Sequence, residues 1–325
     1  MLTRAKGGSV VRTFLNTPGW HVRGLTRNTS SRAAQALASQ GVEVVQADLA
    51  DESSLVSAFQ GAHVIFLVTD YWAAVSVPEN YAKAAEQGIT IRDLAFDIEV
   101  AQGLNAAKAA SHPTVLPGLQ RFIFSSLADM RKWTNGAMSY KNHFESKGKI
   151  EAHILENMPQ LAGKLSTVQM GYYFTNWKQS PDYAPKKLDD GSFLYQTPFE
   201  MTTKMPWVDA DVDTGKFVKA LVDAPAGTHM LGVSEFGTFG ELMDVFGKVQ
   251  GVKARAEHVP AVEFFAKVPV PDDLRPVLIQ LTTFMDGYGW SGGDPRIKMP
   301  KDVNSGLETV SIEEYVRKED WSSVL

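Results

Sequence analysis

Hydrophobic and polar positions follow two alternating periods through the first half of the chain. Val10, Val11, Phe14 and Leu15 share one face of a helix that begins just behind a glycine pair, Gly7 and Gly8. "WHVRGLTRN" (20–28) reads as a short strand, "SSRAAQALASQG" (30–41) as a helix, and "VEVVQADLAD" (42–51) as a strand again. The helical stretch 52–61 precedes "AHVIFLVTD" (62–70), whose apolar run is too continuous for a strand with one wet face and suits a parallel sheet covered on both sides. A helix at 97–111, a buried strand "RFIFSS" (121–126), a helix at 140–157 and a strand-like stretch at 165–174 continue the alternation. Residues 73–96 fit no single unit and predict an excursion over the sheet edge. The pattern as a whole predicts right-handed βαβ crossovers and an α/β, doubly wound parallel sheet.

From about residue 177 the texture changes to prolines, glycines and scattered aromatic residues, with short helices at 239–251 and 311–321 and a turn-rich "GYGWSGGDP" (287–295). This predicts a smaller α+β lobe, residues 177–325, interleaved with a first domain of residues 1–176.

Composition narrows the function. The 325 residues are 44% apolar and carry a formal charge of −5, the wrong sign for a protein that neutralises nucleic-acid phosphates. Direct nucleic-acid binding is therefore not expected. Without cysteine there is no disulfide, thiolate nucleophile or cysteine-held zinc. The seven histidines show no ligand spacing such as HExxH, so no metal site is expected. No apolar run approaches the ~20 residues of a membrane span. The expected location is the cytoplasm, with the nucleus open as a second compartment.

The ordered set "KGGSVVRTFLN…HVRGLTRN…GVEVVQADLAD…AHVIFLVTDYW…RFIFSSL…HFESKGKIEAHI…GYYFTNW…WVDADVDTGKFV", closing on "EEYVRKEDW", resembles the NmrA-like family, atypical relatives of the short-chain dehydrogenases. It spans nearly the whole chain. The resemblance implies a Rossmann-like, NAD(P)-binding domain at 1–176, in which a first strand runs into a turn of the GxxGxxG type and the helix beyond it faces the pyrophosphate. Here only Met1 and Leu2 precede that turn, and Arg4 stands where a glycine belongs. In the strand order 3-2-1-4-5 the first strand is central, so its loss is expected to part the two halves of the sheet and leave two edges unpaired.

The resemblance also implies a site. Gly7 and Gly8 would line the pyrophosphate. Arg27 and Asn28, behind the second strand, would face a 2′-phosphate and so favour NADP(H), although a solvated surface arginine is the competing reading. Asp48 and Leu49 would border the adenine, or Asp48 would simply cap its loop. Thr69, Asp70 and Tyr71, with Ser125 and Ser126, end strands on the edge where open α/β sheets bind ligands. Tyr173, Phe174, Thr175 and Asn176 would meet the nicotinamide end, or form an aromatic patch joining the lobes. Ordinary short-chain dehydrogenases use Tyr-x-x-x-Lys, the tyrosine as proton donor and the lysine on the nicotinamide ribose. At that spacing this chain has His143 and Lys147, as the NmrA-like family does. Tyr140, at i, i+3, i+7 with those two, is a further candidate donor if the helix starts early enough.

The resemblance thus implies an NADP(H)-dependent oxidoreductase acting on a small carbonyl or activated-alkene substrate, within secondary metabolism. The alternative it leaves is an NADP(H)-binding redox sensor that works through a regulatory protein partner without turnover. A cofactor-free role is the third.

Overall fold

The computed structural model describes residues 2–138 and 141–325. Its centre is a sheet of five parallel strands, and its N-terminal flank is a separate parallel pair. The pair is β1 (Arg23–Thr26) with β2 (Glu43–Gln46), in the register Arg23 to Glu43. The main sheet contains β3 (Val64–Leu67), β4 (Arg121–Ser126), β5 (Leu165–Met170), β6 (His229–Gly232) and β7 (Ile297–Lys298), in the order β7-β6-β5-β4-β3. Among the described residues β1 pairs only with β2, and β3 only with β4. The expected parting of the sheet is what the structure has.

Helices cover both faces. Helix α1 (Leu2–Leu15) lies on one face together with α4 (Thr214–Asp223), and α2 (Ile91–Ala110) packs with α3 (His143–Asn157) on the other. Side-chain alternation along β4 sorts its residues between them. Phe122 and Phe124 enter the core with α2 and α3, whereas Ile123 joins Phe14, Phe217 and Leu221 beneath α1 and α4. The α1–α4 approach is close because position 215 is glycine. A Cβ there would stand 2.1 Å from Thr13 Oγ1 and 2.4 Å from the Ser9 carbonyl, and the Gly215 N–H donates to Ser9 Oγ at 2.9 Å.

Several expected boundaries move, for local reasons. Gly7 and Gly8 were expected in a turn, but α1 starts at Leu2 and encloses both. The stretch 73–96 resolves into helices Tyr71–Val75 and Pro78–Glu86 and the first turns of α2, whose N-cap Thr90 accepts from the Asp93 N–H. Helix α3 starts at His143, not at 140, because Asn142 caps it, accepting from the N–H of Phe144 at 2.8 Å and of Glu145 at 3.1 Å. The strand expected at 165–174 breaks at Gly171, where a Cβ would lie 2.1 Å from the Pro206 carbonyl oxygen.

Beyond that break the chain builds the smaller lobe. Tyr172–Tyr173, Met205–Val208 and Glu235–Gly237 form one small sheet, and Lys186–Lys187, Phe193–Thr197 and Ala254–His258 another. Its core is aromatic, with Trp177, Phe193, Trp207, Phe246, Tyr315 and Trp321 buried together. The lobe is not a separate segment of sequence, because β6, β7 and α4 return to the first domain. Among the described residues no helix is long and apolar enough to cross a membrane.

Candidate functional site

The carboxyl ends of β3 and β4 meet α1, α2 and α3 around one buried carboxylate. Glu99, on α2, is wholly inaccessible. Three donors converge on it: the Tyr71 N–H at 3.1 Å, the Ser146 hydroxyl and the Lys147 ammonium. Lys147, on the next turn of α3 from His143, is itself buried. The Tyr71 N–H is delivered there by the helix Tyr71–Val75, which Asp70 caps by accepting from the Ala73 N–H at 3.1 Å. A carboxylate so placed in a low-dielectric interior survives because every donor around it is aimed at it.

A second buried ammonium lies nearby. Lys6 Nζ donates to Ser125 Oγ at 3.0 Å and lies 5.7 Å from the centroid of the Tyr173 ring. Burial pulls its pKa down from 10.5 to about 8, against the opposing pull of the Glu99 and Asp70 carboxylates. Tyr173 shifts upward, mainly through burial, with Lys147 acting the other way.

His143 sits among Tyr71, Trp72 and Phe144, with ring centroids 5.0–6.0 Å away. Burial first, then the charges of Lys147 and Lys6, press its pKa down to about 3. The imidazole is therefore uncharged at neutral pH and holds no imidazolium proton for a substrate, which weighs against the acid role considered for it. Its Nδ1 is buried with no hydrogen-bond partner, and so is Thr69 Oγ1.

The structure thus brings Thr69, Asp70, Tyr71, Ser125, His143, Lys147 and Tyr173 into one region. Tyr140 lies outside the described residues. Phe174 is interior to the smaller lobe, parallel to Trp207 at 5.7 Å and to Tyr315 at 4.5 Å. Thr175 is exposed, and Asn176 accepts from the Gln179 side chain at 2.8 Å. Ser126 points to the opposite face of the sheet from Ser125 and donates to Glu151 at 2.6 Å, inside a network with Arg296 and Asp294 that ties α3 to the sheet.

A second group lies at the carboxyl ends of β1 and β2. Arg27 is exposed, with no ion pair or hydrogen bond among the described residues, and the Asn28 side chain accepts from the Ser30 N–H at 2.9 Å. Asp48 accepts from the Ala50 N–H at 2.9 Å, and the Leu49 carbonyl accepts from Asn105 at 3.0 Å. Asp48 has the geometry of a loop cap.

Lys6 and Glu99 were missed by sequence reasoning. Lys6 stands three residues before Ser9, both buried on the α1 face that turns to the sheet and α4, which a helical projection shows once that face is known. Glu99 precedes Gly103 by one turn, and Gly103 is where α2 meets Ile150 of α3. No group of residues that could hold a metal ion is present among the described residues.

The model of the NmrA-like family matches residues 3–316. The chain is 30% identical over 280 residues to the NmrA-like family domain-containing oxidoreductase hkm9 of Aspergillus hancockii, across 83% of this chain and 77% of that protein. It is 31% identical over 262 residues to the NmrA-like family domain-containing oxidoreductase malD of Malbranchea aurantiaca, across 78% and 72%. Among solved structures it is similar to NmrA, a negative transcriptional regulator, in complex with NADP, at a TM-score of 0.70 and 19% identity over 97% of this chain and 91% of that one. The NADPH-dependent quinone oxidoreductase QOR2 of Escherichia coli, complexed with NADPH, gives 0.64 at 20% identity, over 95% and 94%. These likenesses establish a Rossmann-like fold.

Proposed function

This chain belongs to the NmrA-like family, and from that premise we propose that it binds NADP(H) and reduces a carbonyl or an activated double bond of a small apolar or aromatic molecule, within secondary metabolism. The observation that carries the reading is a buried lysine, Lys147, in a region where Thr69 Oγ1 and His143 Nδ1 are buried without partners. An unsatisfied buried polar atom costs about 1–3 kcal/mol. A polar ligand that reaches both removes that cost, and the ribose and carboxamide of a nicotinamide nucleotide carry the hydroxyl and amide groups to do so.

In this reading Lys147, Thr69, Asp70, Tyr71 and Tyr173 hold the nicotinamide half. Thr175 and Asn176 border it from the start of the smaller lobe. Arg27 and Asn28 meet the adenosine 2′-phosphate, and the unpaired guanidinium of Arg27 supports this. Asp48 and Leu49 flank the adenine. Gly7 contributes open space on α1 instead of a turn, since nothing lies within 4 Å of a Cβ built there, while a Cβ on Gly8 would stand 3.3 Å from Arg12 Nη1. When bound, the dinucleotide supplies a hydride; the protein's tasks are orientation, exclusion of water and a proton.

A second reading is a sensor that binds the dinucleotide without turning it over and signals to a protein partner. The uncharged His143, in the place of a proton-donating tyrosine, favours it. Titration with NADPH and NADH, followed by fluorescence, tests the shared premise. Lys147→Ala is expected to weaken NADPH binding by at least tenfold, and Arg27→Asp to abolish or invert the preference for NADPH over NADH. Unchanged affinities in both variants would sink the site. Oxidation of NADPH across a panel of aldehydes, ketones and enones then separates enzyme from sensor.

A further inference from the structure

We propose that Lys6 is the proton donor of the reduction, its ammonium protonating the substrate oxygen in the role that tyrosine fills in ordinary short-chain dehydrogenases. The inference rests on the oxidoreductase reading above. At the Tyr-x-x-x-Lys spacing, Lys147 is committed to Glu99 and His143 carries no imidazolium proton. Lys6 reaches the same region from α1, on the opposite side from α3, with Nζ 3.0 Å from Ser125 Oγ at the end of β4 and 5.7 Å from the Tyr173 centroid. Of its three N–H groups one is used in a hydrogen bond among the described residues. The rest are free to meet a carbonyl oxygen.

The charged and titratable groups around Lys6 come from every element packed there. Glu99 on α2 and Asp70 before the helix Tyr71–Val75 hold its proton on, while burial drives it off. His143 of α3 contributes no charge, and Tyr173 presents its ring face. The outcome, about 8, suits a general acid working near neutrality: charged in the resting site, yet ready to release. In the step itself the C=O π bond breaks, its carbon accepts hydride with the electron pair, and its oxygen takes the proton from Nζ. The two-electron oxidation of the dinucleotide balances the reduction, and the neutral amine regains a proton from water.

The test uses the full chain, NADPH and 4-nitrobenzaldehyde as the probe carbonyl, with three readouts: NADPH affinity, kcat against pH, and the 13Cε resonance of Lys6, assigned by its loss in Lys6→Met. Expected are a resonance that titrates near pH 8 and a kcat that falls above that pH. Lys6→Met is expected to lose at least 100-fold in kcat while its NADPH affinity changes less than threefold, and Lys6→Arg to lose kcat together with the alkaline limb. A Lys6→Met variant that binds NADPH and keeps kcat overturns the assignment while leaving the oxidoreductase reading intact. Wild-type protein that binds NADPH but leaves the aldehyde unreduced also overturns it. Failure of wild-type protein to bind NADPH is visible in the affinity measurement alone and brings down the reading on which the inference rests.

Discussion

Replacing Glu99 by glutamine isolates the electrostatics of the site. The amide keeps the shape of the side chain but removes the negative charge that Lys147 and Ser146 address, leaving an ammonium about 6% exposed without its counter-charge. Breaking a buried ion pair from one side costs about 3–5 kcal/mol, far more than the 0–1 kcal/mol of a surface pair. The Tyr71 N–H still finds an oxygen, so its contribution should survive. With an unfolding entropy of about 2.1 cal/mol/K per residue, a chain of 325 residues shifts by about 1.5 °C per kcal/mol, so the melting temperature should drop by roughly 4–7 °C. Urea unfolding of wild type, Glu99→Gln, Lys147→Met and the double variant forms a cycle. The double variant should be more stable than Glu99→Gln, because it removes the orphaned charge. A single-variant cost under about 1 kcal/mol, or a double variant no better than Glu99→Gln, would refute the claim that the pair is desolvated and mutually dependent.

Two further outcomes follow from packing and titration. Gly215→Val drives side-chain atoms into Thr13 and the Ser9 carbonyl, so α1 must shift off α4; overpacking of this kind costs about 1–3 kcal/mol, read as a lower urea midpoint. Glu145 has its pKa raised from 4.5 to about 7, by burial first and by Asp129 second, with Arg131 opposing. The folded state therefore holds that proton more tightly than the unfolded chain does, and stability is lost as pH rises from about 4.5 to 7. Glu145→Gln should be more stable than wild type at pH 8 and gain nothing at pH 4, in thermal melts at both values.

Periodicity exposed β3 and β4 because Val64–Leu67 and residues 122–124 are short, bounded runs apolar on both faces, whereas β5 is buried throughout yet carries Ser166, Thr167 and Gln169. Periodicity located α3 less well, since its start depends on the hydrogen bonds of one side chain, Asn142, which no period reports. The region of residues 73–96 was opaque for a related reason: three short-range starts fall in or beside it, two set by the side-chain caps Asp70 and Thr90 and one by Pro78 at the head of its helix. Lys147 and His143 were legible through their spacing and the family resemblance. Lys6 was not, because a lysine on an amphipathic helix is ordinarily solvated, and only the approach of α1 to the end of β4 gives it Ser125 as a partner. Phe174 shows a different limit. It sits in the run GYYFTNW (171–177), but its stacking partners in space, Trp207 and Tyr315, come from 33 and 141 residues away.

The unpaired edges of β1 and β3 bear on how the molecule holds together. Among the described residues no backbone ladder joins the β1–β2 pair to the main sheet, and side chains link the two: Val22, Val64 and Phe66 in the core beneath α1, with the Arg23 guanidinium on the Ala58 and Gln60 carbonyls at 2.9 and 2.8 Å. Contacts of that kind come apart without disturbing the strands on either side. Residues 20–50 should thus open as one cooperative unit while β4 and β5 stay closed, with their amides exchanging in deuterium far sooner than those of Phe122 or Val168. A ligand that spans from Arg27 to Lys147 would bridge that seam, acting as a tie between two otherwise loosely coupled bodies. Its arrival would then register in slower exchange across residues 20–50, well away from the chemistry at Lys147.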